Sequence, residues 1–260
     1  MTGAVGVQGV AASLVLVGVA VAISIWRALH LEKQILWAAG RALVQLALVG
    51  EALAVLVRPD ISLAWSWLWV VAMLAYAGQV ARRRAPEVPG VAVLTVTAFS
   101  IAAIITLGVV FGLGILPAQG TTIVPIAGMM VGNSMSATVL VARRLIEELR
   151  DKRDEVEARL ALGLATRNAA APHVRAALRS ALSPQIETTK ATGLVFLPGA
   201  MTGLILAGVS PVRAVLLQVV VMFLVLGSVA TTTVVVALGL VRRMFTPDHR
   251  LRAVPRRAES

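Results

Sequence analysis

Seven apolar runs constrain this chain more than any other feature. They cover about residues 4–26, 35–57, 63–80, 91–111, 121–142, 192–208 and 212–241, and most carry no charge. A run of about 20 apolar residues matches the hydrocarbon thickness of a bilayer when wound as a helix. Backbone polar groups in hydrocarbon must be paired internally, so a span is a helix or part of a closed barrel, and these runs lack the two-residue alternation of barrel strands. Composition points the same way: 58% of residues are apolar and 14% charged, against about 25% charged in soluble domains. The predicted fold is therefore all-α, a polytopic membrane protein of seven transmembrane helices with a long amphipathic cytoplasmic loop helix between spans five and six. Residues 1–142 hold the first five spans, 143–190 the loop, 191–241 the last two spans, and 242–260 a basic tail.

The net charge of +11 would suggest nucleic acid in a soluble protein; in a membrane protein its distribution matters more. No basic residue precedes the first run and Arg27 follows it, the pattern of an uncleaved helix with its N-terminus outside. With that orientation 21 of the 24 Lys and Arg residues fall on the cytoplasmic side: Arg27 and Lys33, Arg82 to Arg84, ten between Arg143 and Lys190, and six from Arg242 to Arg257. Only Arg58 and Arg213 fall outside, and Arg41 lies within a span. This asymmetry places the chain in a cell inner (plasma) membrane with its C-terminus in the cytoplasm, and it accounts for the basic residues through lipid rather than nucleic acid. No cysteine is present, which excludes disulfides, iron–sulfur clusters and thiolate metal sites.

Residues 143–190 hold ten basic and seven of the 13 acidic residues. At helical spacing Leu145, Leu149, Val156, Leu160 and Gly163 share one face, and opposite charges pair at i,i+4: Glu148 with Lys152, Arg150 with Asp154, Arg153 with Glu157, and Glu155 with Arg159. Such a helix either packs its stripe on the end of the bundle or docks a soluble partner. Gly163 on the stripe asks for a turn or a close backbone contact. The string from Glu157 through Leu160 to Gly163 and Leu164 is similar to the first half of the loop by which permeases of ATP-binding-cassette (ABC) importers engage their ATPases; Pro184 lies farther from the glycine than in that loop.

Polar groups within spans are candidates for function because hydrocarbon makes them costly. They are Arg41, Gln45 and Glu51 in the second span, Asn133 in the fifth and Gln218 in the seventh. At about 1.5 Å per residue Gln45, Asn133 and the Pro198–Met201 break fall near the midplane. Arg41 and Glu51 are too far apart along their helix to pair. Met129, Asn133 and Ser136 share one face, with Met130, Met135, Met201 and Met222 nearby in sequence; methionine fills cores, and it also suits a polarizable path for a metal or organic substrate. Gly128 with Gly132 and Gly199 with Gly203 have the spacing of close helix packing. Pro198-Gly199 frees backbone carbonyls at mid-depth, as in helices that bind transported cargo. There is no phosphate-binding loop, and His30, His173 and His249 fall outside the spans, so neither ATP binding nor a His-based membrane hydrolase is supported.

Four stretches resemble the FetB (YbbM) family, permeases of bacterial iron-export ABC transporters with a plant aluminium-tolerance branch. They are Leu31-Glu32-Lys33 with Ile35-Leu36-Trp37 and Gly40-Arg41 through Gln45-Leu46 to Gly50; Pro125-Ile126-Ala127-Gly128-Met129 with Gly132-Asn133 and Met135; Leu162-Gly163; and Lys190 through Leu197-Pro198-Gly199 and Gly203 to Pro211 and Gln218. The resemblance implies a non-enzymatic permease subunit that moves iron or another metal outward. A separate ATPase would carry ATP and magnesium, this chain would hold no cofactor, and two ATPases would imply a permease homodimer. Plant relatives imply a nucleotide sugar as an alternative substrate. Glu51 stands where relatives tend to be uncharged, and iron prefers more carboxylate and imidazole than the spans offer. A secondary transporter or channel driven by an ion gradient, or a membrane enzyme, are the other classes the sequence allows; the long charged loop favours the ABC permease.

Overall fold

The computed structural model describes residues 7–56, 62–88, 90–248 and 250–252. The first residues of the first expected span, the end of the second, Arg58, His249, Arg256 and Arg257 lie outside the described residues. Among those described, the chain forms nine helices and, apart from two isolated bridges, no strand. They are α1 (Val7–Trp26), α2 (Glu32–Leu56), α3 (Leu63–Arg84), α4 (Val91–Gly112), α5 (Gly120–Asp151), α6 (Arg153–Ala161), α7 (Thr166–Ala191), α8 (Gly199–Leu206) and α9 (Pro211–Met244). Six of them, α1 to α5 and α9, are long and apolar enough to cross a membrane.

The chain divides into two compact units, Met1–Ile61 and Ser62–Ser260, a boundary that cuts through the expected five-span block. The first unit is a helical hairpin of α1 and α2. Its turn is fixed by Ser24, whose hydroxyl donates to Glu32 Oε1 at 2.7 Å and accepts from the Leu31 N–H at 3.1 Å. Arg27 stacks over the Trp26 ring at 4.7 Å.

In the second unit α3, α5 and α9 run one way and α4 and α7 the other. Arg143 of α5 donates to the Arg84 carbonyl at the end of α3, and Arg153 reaches the Leu251 carbonyl just past α9. Arg243 near the end of α9 donates to the Gly90 carbonyl, which begins α4. Arg82 to Arg84, Arg143, Arg144, Arg242 and Arg243 therefore gather at one end of this unit, called here the basic end. Lipid tails are as apolar as leucine, so packing and interhelical hydrogen bonds hold such helices together. The seam shows both: Ser134 bonds to Ser228, and Thr106 Oγ1 donates to the Met130 sulfur at 3.3 Å. One buried cluster joins Phe99, Ile123, Met130 and Val229; a second, toward the basic end, joins Leu145, Leu149, Val156, Val174, Leu240 and Met244.

Two expectations change here. The segment expected to be one loop helix over 143–190 is three pieces: the last turns of α5, the short α6 after a break at Lys152, and α7 after a turn at Gly163. Leu145, Leu149 and Val156 are buried against the bundle as a packing stripe would be. Three of the four anticipated ion pairs form, Glu148–Lys152, Arg153–Glu157 and Glu155–Arg159, while Arg150 turns to the adjacent Asp151.

The segment expected to be a sixth span at 192–208 is not a spanning helix either. It is a turn, with Gly193 at a φ of +91°, followed by α8 of eight residues, or about 12 Å of helix against a hydrocarbon core of about 30 Å. The rest of the distance is travelled by α7, which runs back along α5: His173 Nδ1 lies 3.6 Å from Glu148 near the basic end, and Gln185, Thr188 and Thr192 reach the level of Asn133 and Met129. Gly193, just past the Thr192 cap in the left-handed region, ends α7 at Ala191, and Pro198 stands as the N-cap from which α8 restarts at Gly199.

Close approach is required at Gly78 in α3, where a Cβ would lie 2.5 Å from Val96 Cγ2 and 3.0 Å from the Ala92 carbonyl oxygen of α4. Of the two glycine pairs predicted to pack closely, Gly128 meets Met73 Cε at 3.7 Å from a Cβ, an ordinary contact, and nothing described lies within 4 Å at Gly132, Gly199 or Gly203. Gly78→Ala is expected to destabilise the purified protein by about 1–3 kcal/mol through overpacking. Gly108→Ala in α4, where a Cβ meets open space, serves as the neutral comparison when melting is followed in detergent.

Candidate functional site

Where α7 ends and α8 begins, α5, the end of α7, the broken segment and α9 together line a cavity of about 180 Å³. Met129 and Asn133 come from α5, Gln185, Thr188, Thr189 and Thr192 from α7 and its end, Pro198 from the break, and Gln218 and Met222 from α9. Helical spacing explains the convergence: 129 and 133, 185, 188 and 192, and 218 and 222 are each one turn apart and so share a face.

The hydrogen bonds give this cavity a consistent polarity. Thr188 donates its hydroxyl to the Pro184 carbonyl at 2.9 Å, Thr189 to Gln185 at 2.8 Å and Thr192 to Thr188 at 2.8 Å. Each hydroxyl has one hydrogen, so what these threonines turn outward is oxygen lone pairs. Asn133 Nδ2 donates one of its two hydrogens to the Met129 carbonyl at 2.7 Å. Gln218 Oε1 is buried with no hydrogen-bond partner among the described residues. An unpartnered buried acceptor costs about 1–3 kcal/mol and marks a place where a donor, a cation or water belongs. The lining is thus rich in uncharged oxygen acceptors, with two thioethers. Among the described residues no group of three or more His, Cys, Asp or Glu could hold a metal ion.

The cavity is the first of three that adjoin along α5. A second, of about 260 Å³, shares Asn133, Gln185 and Thr188 with the first and continues past Gly132, Ser136, Leu140 and Pro184. A third, of about 480 Å³, shares Ser136 and Leu140 with the second and ends among Arg83, Arg84, Pro86 and Arg143. Residues 129, 133, 136, 140 and 143 form one stripe of α5 and line a track from the break to the basic end.

Of the residues singled out from the sequence, the structure brings together Met129, Asn133, Pro198, Gln218 and Met222 in the first cavity. Met135 packs against the buried cluster around Met130, and Met201 is buried on α8; neither lines the cavity. Arg41, Gln45 and Glu51 are exposed on α2, in the first unit. Gln185, Thr188, Thr189 and Thr192 were missed because Glu187 and Lys190 made this stretch read as a water-exposed loop. Those two charges pair with each other at 2.9 Å on an exposed face. The signal that could have found the four was their own spacing, polar groups at i, i+3, i+4 and i+7 just before the Pro198 break.

Glu157, Leu160, Gly163 and Leu164 lie at the α6–α7 turn. Leu160 packs against the cluster at the basic end, while Gly163 takes a φ of +82° that lets the chain reverse. On either side Leu162 and Leu164 are 82% and 43% exposed.

Comparison with known proteins adds relatives along nearly the whole chain. A rice protein named UPF0014 membrane protein STAR2 is 38% identical over 88% of this chain and 80% of its own length. The Escherichia coli Probable iron export permease protein FetB is 33% identical over 94% of both chains, and the Arabidopsis Protein ALUMINUM SENSITIVE 3 is 35% identical over 86% of this chain and 82% of its own. No solved structure matches. The model of the family described as Uncharacterised protein family (UPF0014) matches residues 7–245, and on these matches the chain is a multi-pass membrane protein that belongs to the UPF0014 family.

Proposed function

We propose that this chain is the permease subunit of an ABC transporter that exports a metal cation, iron by its likeness to the E. coli protein, with energy from a separate ATPase. The observation that carries the reading is the acceptor-lined cavity at the α7–α8 break, with Gln218 Oε1 unpartnered and Asn133 and the threonine oxygens around it. Neutral oxygens can replace part of a cation's hydration shell while holding it weakly enough to let it go, the requirement of a path rather than a store. A carboxylate–imidazole cage would bind iron more tightly and release it slowly.

Energy would enter at the α6–α7 turn. Exposed Leu162 and Leu164 flank Gly163, and the turn is joined to the track by α7, whose other end supplies Gln185 to Thr192. A movement of the turn would reach the cavity along α7, with Pro172 and Pro184 inside the helix as the places where it can bend. The ATPase partner, a permease homodimer, the plasma-membrane location and an N-terminus outside with the C-terminus in the cytoplasm belong to the same reading.

Separate variants test its two halves. Gly163→Leu forces a branched residue into a positive φ at the proposed ATPase contact, which strains the turn by about 1–2 kcal/mol and should lower metal efflux and ATP hydrolysis by the co-expressed complex. Leu162→Ala, at an 82% exposed side chain, should lower both with melting of the permease unchanged, and normal coupled activity in both variants would remove the turn from the mechanism.

Asn133→Ala and Gln218→Leu should each lower efflux about tenfold, the loss of one charge-assisted contact to a passing cation, with co-purification of the ATPase intact. If both variants transport normally, the cavity is not the path.

A further inference from the structure

The third cavity carries a consequence separate from transport. Arg83 and Arg84 close α3 and Arg143 rises from α5 to meet them, so three guanidinium groups line one cleft of about 480 Å³. Arg143 is partly compensated: it pairs with Glu87 at 3.1 Å and donates to the Arg84 carbonyl. Arg83 and Arg84 are exposed and make no ion pair with any described carboxylate. Glu87 is thus the one described carboxylate at the cleft, set against three arginines. The rest of the lining is the Ser136 hydroxyl and an apolar wall of Pro86, Val139 and Leu140. The cleft sits where the apolar lengths of α3 and α5 give way to charge, the level at which a bilayer presents its headgroups.

We propose that this cleft binds a phosphate group, with Arg83 and Arg84 as its principal ligands and Arg143 held in place by Glu87. Guanidinium is the cation best matched to phosphate, since its planar fork donates two parallel hydrogen bonds and gives up its hydration readily. The apolar wall beside the arginines favours a phospholipid headgroup, whose glycerol and first acyl carbons would lie on Pro86, Val139 and Leu140; a soluble phosphate would use the arginines alone. A bound phosphate would also offset the positive charge at the end of the track.

The test uses the full chain in nanodiscs and reads binding, so it is independent of whether the track carries cargo. In discs of phosphatidylcholine doped with phosphatidylglycerol, native mass spectrometry should show phosphatidylglycerol retained by the wild type. Retention should fall about thirtyfold in Arg83→Gln/Arg84→Gln and about fivefold in each single variant. The singles serve if the double variant does not fold. Arg82→Gln, whose side chain does not line the cleft, should match the wild type. In discs of phosphatidylcholine alone, inorganic phosphate is titrated and followed by phosphorus NMR. Phosphate binding that the same variants abolish, without retained phosphatidylglycerol, identifies a soluble phosphate as the ligand and still supports the site. Absence of both probes from the wild type, or equal binding by wild type and variants, overturns it.

Discussion

A helix in hydrocarbon cannot be interrupted without leaving backbone groups unpaired, and the second unit is organised around one interruption. At residues 192–198 the chain leaves α7 and turns, with the Gly193 N–H donating to the Phe196 carbonyl at 3.0 Å, before α8 begins. Non-helical backbone at membrane depth persists only where protein or water covers it. The broken segment lends Phe196 and Pro198 to the cavity, whose other walls are α5, α7 and α9, while Leu194 and Val195 at the turn itself are 93% and 83% exposed. The polar residues of α7 are tolerable at this depth for the same reason: each threonine hydroxyl returns its hydrogen to its own helix, leaving its lone pairs facing the cavity.

Electrostatics divide the unit along its axis. The end opposite the basic one carries Arg213, the middle carries neutral oxygens and thioethers along the cavity with the Glu187–Lys190 pair on the exposed face of α7, and the basic end gathers the arginines of α3, α5 and α9. Such a gradient orients helices during insertion and sets what each level can bind. The middle suits a cation or a donor and the basic end an oxyanion. The family relationship fixes neither, since the relatives carry names as different as iron export and aluminium sensitivity.

Much of the fold was legible because long charge-free runs have one stable form in a bilayer. Five of the seven predicted spans lie within α1 to α5 and a sixth within α9, apart from the residues outside those described. The predicted sixth span was misread for a physical reason. Hydropathy reports how apolar a stretch is but not whether it is continuous helix, and 192–208 is apolar while being turn and half-helix. The converse error hid α7: Glu187 and Lys190 neutralise each other on one face, while Gln185, Thr188 and Thr192 on another approach Asn133. Asn133, Met129, Gln218 and Met222 were legible as polar or soft groups within spans, and Asn133 with the Pro198–Met201 break as groups at one depth, a level also expected of Gln45, which lies in the first unit. Their partners on α7 were not, because a sequence does not show that a charged helix folds back along the span before it. The glycine pairs misled in the same way, since spacing alone does not say whether a neighbour arrives.

The central claim is that the track along α5 and α7, where Asn133, Ser136 and Thr188 are exposed, faces water and not lipid. The chain lacks cysteine, so single cysteines placed in the protein in its membrane report water access without background. Thr188→Cys and Asn133→Cys, labelled with a charged methanethiosulfonate reagent, should react far faster than Ile104→Cys on the 75% exposed outer face of α4, which meets lipid. Thr188 and Asn133 cysteines as unreactive as Ile104→Cys would contradict the track.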